Sequence, residues 1–552
     1  MRKIFTFIAL SMMSLTAMAT DYTDTLVVTV NGKSVYQHAT ISLNEQSDGA
    51  YTLSLKNFTL DNEGSLMGVG TISLPDCEPL QTDRGLIFNE EVNITIEEGD
   101  DPSVDFWLGP MIGEVPISLR AALVGDKLQA VIDINLEFMH QIINVRFGDG
   151  YQLFNGTFES FKDSEGAAVE EDGTYAEPEY WHSFNTASGD LASMAGKAPY
   201  LSSETRPGST GTKSLLLKST PITVPIFGVV AIANGTITTG RLNAGDVNAT
   251  STKNHAEMDL SKTDKDPSGH PFYSLLNAQP DSIVTWVKFK QQSVNSSYPY
   301  ATVSATITDG TYYQEPVDKT YTNIAARAEN NTISSNGATW QRLSIPFNYD
   351  TYTSNNAQTK AIMVTMSTNN GAGTGNEGDE LYVDDVELIY NADITSATVG
   401  GTDIVATPYA GEEELPAYAT LKTALVETSK AVTADDFVVT TNAKQPFVGV
   451  EVMDADDVES DDPALQAEVD QVAFISCYAA DLSKMCSWIV FVKHAGINYD
   501  LNGDGKISTA DIQVIINEMK KAQADQNMKY DLNGDGKIST ADIQTIINEM
   551  KK

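Results

Sequence analysis

Short runs of alternating apolar and polar residues dominate the chain from Asp21 to about Gly150. TLVVTV (Thr25 to Val30), YTLSLKNFTL (Tyr51 to Leu60), GVGTISL (Gly68 to Leu74), VNITIEE (Val92 to Glu98), LQAVIDINLEF (Leu128 to Phe138) and QIINVRF (Gln141 to Phe147) repeat with period two. That is the period of a half-buried strand, and Asn31-Gly32 supplies a hairpin turn. Many short strands without a helical period predict a β-barrel or sandwich over residues 20–150. From Tyr151 to Asn391 come FNGTFESF (Phe154 to Phe161), EPEYWHSF (Glu177 to Phe184), GTKSLLLKS (Gly211 to Ser219), IVTWVKFK (Ile283 to Lys290), WQRLSIPF (Trp340 to Phe347) and LYVDDVELIY (Leu381 to Tyr390). Loops rich in Gly, Ser, Asn and Thr join them, the pattern of a jelly-roll β-sandwich. SATVGGTDIVATP (Ser396 to Pro408), FVVTT (Phe437 to Thr441) and SWIVFV (Ser487 to Val492) predict a small immunoglobulin-like β module over 392–495. The fold class is therefore mainly β and multidomain.

The period changes at the end of the chain. Tyr499 to Lys521 and Tyr530 to Lys552 are the same 23 residues apart from Val514 against Thr545. Ile512, Ile515, Ile516 and Met519, then Ile543, Ile546, Ile547 and Met550, recur at helical spacing, so each copy has a helix with one apolar stripe. Each helix follows a D-x-N-x-D-G loop. Asp500, Asn502, Asp504 and Asp511 stand at loop positions 1, 3, 5 and 12, as do Asp531, Asn533, Asp535 and Asp542. With the backbone carbonyls of Lys506 and Lys537 at position 7, these oxygens match a Ca²⁺ shell. Gly505 and Gly536 stand where the loop turns sharply. Three carboxylates crowded into one loop repel one another without a cation. A strand, not a helix, precedes the first loop, so each repeat is half of an EF-hand.

This loop-helix tandem resembles a type I dockerin over residues 496–552. The resemblance implies two calcium sites, a cohesin-like partner, and partner contacts at loop positions 10 and 11, which are Thr509, Ala510, Thr540 and Ala541. The N-terminal strand pattern resembles the calycin-like barrels of secreted bacterial proteins. Asn155-Gly156-x-Phe158-Glu159, Trp340 with Ile345-Pro346-Phe347, and Tyr382-Val383-Asp384-Asp385-Val386 together resemble carbohydrate-binding jelly rolls, and more narrowly the "putative carbohydrate metabolism domain" of exported proteins in polysaccharide-using bacteria. That resemblance implies a third calcium site at Glu159 with Asp384 or Asp385. Tyr180 and Trp181, near a loop, are the candidate sugar contacts, because an indole face suits the C–H face of a pyranose. Trp286 and Trp340, flanked by apolar residues, are assigned to the core.

Charge narrows the partners. A net charge of -40 and a pI near 4.3 argue against nucleic acid and anionic membrane. The acidic runs EEELP (Glu412 to Pro416) and DADDVESDDP (Asp454 to Pro463) mark exposed loops. Residues 1–19 read as a signal peptide: Arg2 and Lys3 precede the apolar run Ile4 to Leu15, and Ala17-Met18-Ala19 suits the peptidase. The expected location is extracellular, cell-surface or periplasmic, after Sec export. No later stretch reaches the ~18 apolar residues of a membrane span. Cys477 and Cys486 either pair across strands or stay as buried thiols, and Cys77 stands apart.

No catalytic constellation stands out. The six histidines are scattered, and H-E-x-x-H, G-x-S-x-G and P-loop motifs are missing. A glycosidase needs two carboxylates across a sugar site, and Glu177 with Glu179 is the pair to test. Three functions remain open. The chain is a glycan-binding exported component docked by its calcium-folded tail, a glycoside hydrolase component, or a surface protein whose β units are structural.

Overall fold

The computed structural model describes residues 19–30, 33–62, 65–136, 141–224, 228–336, 339–411, 415–458, 469–494 and 498–552. The expected leader up to Met18, the Asn31-Gly32 turn, Glu412 to Glu414 and the end of the second acidic run lie outside the described residues.

Among the described residues nine strands form the N-terminal unit: β1 (Ala19–Val30), β2 (Lys33–Glu45), β3 (Tyr51–Asn62), β4 (Ser65–Cys77), β5 (Pro79–Gln81), β6 (Leu86–Thr95), β7 (Glu114–Val124), β8 (Lys127–Leu136) and β9 (Gln141–Phe147). They pair in the order β4-β3-β2-β1-β9-β8-β7-β6-β5. The first and last strands zip together, with Leu26 opposite Phe147. On the other side Thr71 exchanges two backbone hydrogen bonds with Glu97, at 2.8 and 3.0 Å, which closes the barrel. Gly70 permits that approach: its φ is +133°, and a Cβ there would lie 2.2 Å from the Glu97 carbonyl oxygen. Alternate residues, among them Leu26, Val28, Ile41, Leu43, Leu53, Leu55, Ile117, Leu119 and Phe147, form one contiguous packed interior.

Two antiparallel sheets follow. One orders Pro199–Ser202, Ser214–Lys218, Glu380–Ile389, Ser282–Lys290 and Gln341–Pro346; the other orders Thr236–Thr238, Ala361–Ser367, Tyr300–Thr308 and Ile324–Ser334. Leu215, Leu217, Ile283, Val287, Phe289, Leu381 and Val383 of the first sheet share a core with Ala301, Val303, Ala305, Ile307, Ile362, Val364 and Met366 of the second. Period two explains this division, since 283, 287 and 289 share one face of their strand.

That core runs without a break into the third unit, through Ile394, Val399, Ile475, Trp488 and Val490. There Ala419–Thr428 pairs in parallel with Met485–His494, while Gln471–Tyr478 and Phe447–Asp454 continue the sheet antiparallel. Cys477 lies opposite Cys486, yet all three cysteines are free and buried, and burial pushes the Cys477 thiol up to about 12. The third unit also leans on the barrel. Ile87, Ala122 and Val131 from the barrel's outer face pack with Phe447, Tyr478 and Leu482. Buried Arg120 pairs with Asp133 and lies 3.7 Å from the centre of the Tyr418 ring. Strand β7 is thus covered on both faces, which removes the alternation by which a strand is read from sequence.

The tail has a core of its own. Two helices, Thr509–Met519 and Thr540–Glu549, bring together Ile515, Leu532, Ile538 and Ile546, with Tyr499, Ile512, Met519 and Ile543 against them.

Candidate functional site

The two tail loops have the same geometry. In the first, Asp500 accepts from Asp504 N at 3.1 Å and Gly505 N at 2.7 Å, and Asn502 accepts from Asp504 N at 2.8 Å. Asp504 accepts from Lys506 N at 3.0 Å. Asp511 reaches back from its helix and accepts from Leu501 N, Asn502 N and Ser508 N at 2.8, 3.1 and 2.7 Å. In the second, Asp531, Asn533, Asp535 and Asp542 repeat each contact, with Asp542 accepting from Leu532 N, Asn533 N and Ser539 N at 2.7, 3.2 and 2.8 Å.

The helix starts account for this. Ser508 and Ser539 cap the helices, and Asp511 and Asp542 at the third helical position complete capping boxes. Both aspartates are fully buried. Burial acts against the charge on Asp511, but backbone donors from Ser508, Asn502 and Leu501 outweigh it and hold the carboxyl below the ordinary range. Gly505 and Gly536 take φ of +82° and +79° at the turn. The donor set of each loop is oxygen only and carries three carboxylates, which fits a hard divalent cation. Thr509, Ala510, Thr540 and Ala541 are exposed at the first two positions of the helices.

The sandwich corrects two expectations about tryptophan. Trp181 is 1% exposed; its indole donates to the Phe154 carbonyl at 3.1 Å and its ring lies 5.2 Å from that of Phe158. It belongs to the core and does not reach a sugar. Tyr180, at φ +66°, stacks with His270, Phe154 and the barrel's Tyr36, and so joins the two units. Trp286 and Trp340, in contrast, are half-buried. They belong to the outer face of the first sheet, where Lys288 lies 3.8 Å from the Tyr382 ring centre and 5.6 Å from that of Trp340. The strand signal was available, because Trp286 shares its parity with Lys288 and Lys290.

The residues of the expected third calcium site each have protein partners. Glu159 accepts from Thr212 N, Thr212 Oγ1 and Lys213 N. Asp385 pairs with Arg206, and Asp384 accepts from the backbone N–H of Arg206 and of Asp385. With protein donors already on these oxygens, the three residues tie a loop to a strand. Among the described residues no three or more His, Cys, Asp or Glu side chains converge as a metal ion requires, the aspartates of the two tail loops included; calcium in the tail is argued from the ligand spacing and the dockerin match. Glu177 is buried and accepts from Ser183 N, Ser183 Oγ and Thr186 Oγ1, while Glu179 pairs with Lys162. Both carboxylates are thus engaged by protein groups.

Asp384 yields a pH prediction. Burial, against the hydrogen bond from Arg206 N, raises its carboxyl from 3.8 to about 7. The folded chain then keeps a proton that the unfolded chain releases, so stability falls as pH rises from about 4 to about 7, by at most ~1.4 kcal/mol per pH unit. Asp384→Asn is expected to narrow the gap between melting temperatures at pH 5 and pH 8. An unchanged gap would show that the carboxylate is ionised throughout.

Comparison with known proteins follows the same division. The calycin-like beta-barrel domain model matches residues 18–149, and the dockerin type I domain model matches residues 498–551. The chain thus carries a calycin-like barrel at its N-terminus and a type I dockerin at its C-terminus. Type I dockerins bind calcium. No curated protein matches the chain. Among solved structures, it aligns with a protein of Bacteroides fragilis NCTC 9343 described as a "putative outer membrane protein", at 11% identity, covering 63% of this chain and 96% of that one, with a TM-score of 0.19. It also aligns with the M60 catalytic domain with CBM51-1 and CBM51-2 domains of Clostridium perfringens ZmpB, at 10% identity, covering 88% of this chain and 40% of that one, with a TM-score of 0.12. Likenesses this low carry no functional argument. Among the described residues no helix is long and apolar enough to cross a membrane.

Proposed function

We propose, for a chain with a calycin-like barrel at one end and a type I dockerin at the other, that it is an exported carbohydrate-binding component docked to a cohesin by its tail. Two calcium ions hold the tail, one in the loop of Asp500, Asn502, Asp504, Lys506 O and Asp511, the other in the loop of Asp531, Asn533, Asp535, Lys537 O and Asp542. The observation that carries this reading is the pair of superimposable loop hydrogen-bond patterns, each with a buried aspartate at position twelve. Thr509, Ala510, Thr540 and Ala541 stand exposed beside the loops and are the proposed partner contacts.

The carbohydrate half rests on the outer face of the first sandwich sheet, where Trp286, Trp340 and Tyr382 are half-buried between charged residues. Flat apolar rings among polar groups suit sugars. The hydrolase alternative loses its candidate pair, since Glu177 is enclosed by Ser183 and Thr186.

A pull-down with the full chain from the producing cell's exported fraction, in Ca²⁺ and again in EDTA, tests the docking. The expected result is a cohesin captured in Ca²⁺ and released by EDTA. A tail that folds with calcium and captures no cohesin would overturn the docking half and leave the sugar half standing.

A further inference from the structure

The barrel, the sandwich and the third unit meet around an open cleft of about 470 Å³. Its wall includes Trp286, Arg342 and Glu387 from the sandwich, Arg146 from the barrel and Asp481 from the third unit. Clefts of this size between structural units are where small molecules bind. Trp286 lies opposite Arg342 in one strand pairing, and Val284, two residues earlier, lies opposite Glu387 in the other. A guanidinium and a carboxylate therefore flank the indole on one sheet face.

We propose that this cleft binds a neutral saccharide, with the sugar ring against Trp286 and its hydroxyls bridging the Glu387 carboxylate and the Arg342 guanidinium. The inference rests on the carbohydrate half of the function proposed above and names its site. The class of ligand follows from hydrogen-bonding capacity. A sugar hydroxyl both donates and accepts, whereas guanidinium only donates and ionised carboxylate only accepts, so a mixed wall suits a polyol. An anionic ligand fits less well. Arg146 already has Asp481 at 3.6 Å, and Arg206, 5.4 Å from the Trp286 ring, is held by Asp385. Among the described residues the side chains of Arg342 and Glu387 make no hydrogen bond or close ion pair, and Arg146 and Lys484 act on Glu387 only at longer range, so both groups remain for the ligand. The barrel serves by its outer wall, through Arg146, while its interior is packed.

The test is affinity electrophoresis of the full chain through gels containing xylan, galactomannan, laminarin or amylopectin, with polygalacturonate as the acidic counterpart. At least one neutral polysaccharide is expected to retard the chain. Trp286→Ala should weaken that binding by about tenfold, in line with the loss of one aromatic contact, and Arg342→Ala should weaken it as well, with thermal unfolding unchanged in both. Retardation by polygalacturonate alone would overturn the ligand class. Binding that survives Trp286→Ala but is lost in Trp340→Ala would move the site up the sheet, overturning the cleft and sparing the carbohydrate reading. No retardation by any of the polysaccharides would overturn both.

Discussion

Removing calcium from the full chain is expected to unfold residues 498–552 and leave the β units intact. The tail is small, and its buried apolar residues are Ile515, Leu532, Ile538 and Ile546; a unit of this size is marginal without added restraint. Each loop gathers three carboxylates, whose repulsion is unrelieved without a cation. At a hundredfold excess over its dissociation constant, each bound ion stabilises the folded tail by about 2.7 kcal/mol. Hydrogen exchange on the full chain reads the change directly: protection of the helices Thr509–Met519 and Thr540–Glu549 should vanish in EDTA and persist in the β strands. Asp504→Ala combined with Asp535→Ala should reproduce the EDTA pattern with calcium present. Helices that stay protected in EDTA would sink the assignment.

Trp181→Ala is expected to cost about 3–5 kcal/mol, the usual range for emptying a buried aromatic site. Its ring is enclosed beside Phe158, and its indole satisfies the Phe154 carbonyl, which the substitution leaves unpaired. The unfolding midpoint in denaturant should fall sharply, whereas Trp286→Ala, half-buried on the outer face, should move it little. Equal shifts for the two variants would contradict the division of these tryptophans between core and surface.

What the sequence showed and what it hid have one physical basis. The calcium loops were legible because every ligand lies within twelve consecutive residues, so spacing alone describes the shell. Most of the barrel was legible where one strand face meets solvent, although β2, whose first half has no buried residue, was not picked out. Strand β7 escaped because Arg120 and Ala122 on its outer face are buried against the third unit. Trp181 misled because it lies outside any strand of clear period, so nothing local told which way its ring points. The partners of Glu159, Asp384 and Asp385 were not legible because the donors to those carboxylates come from the 206–213 loop, which no motif marks. The cleft was invisible for a related reason. Arg146, Trp286, Arg342, Glu387 and Asp481 are distant in sequence and meet only through the packing of three units.

The barrel's closure by its own ends bears on how the chain reaches this state. Strand β1 has its second neighbour only when β9 is in place, and Ala419–Thr428 has its parallel partner only when Met485–His494 is. Both pairings close long loops, so their entropy is spent before any contact repays it, and proteins built this way fold slowly. The core shared by the sandwich and the third unit adds the same delay, because its last strand lies just ahead of the tail. The tail, whose contacts are nearly all local, can take up calcium and its helices within its own short segment. When the denatured full chain is refolded with calcium present, the tail helices should therefore gain protection before the β units complete their cores.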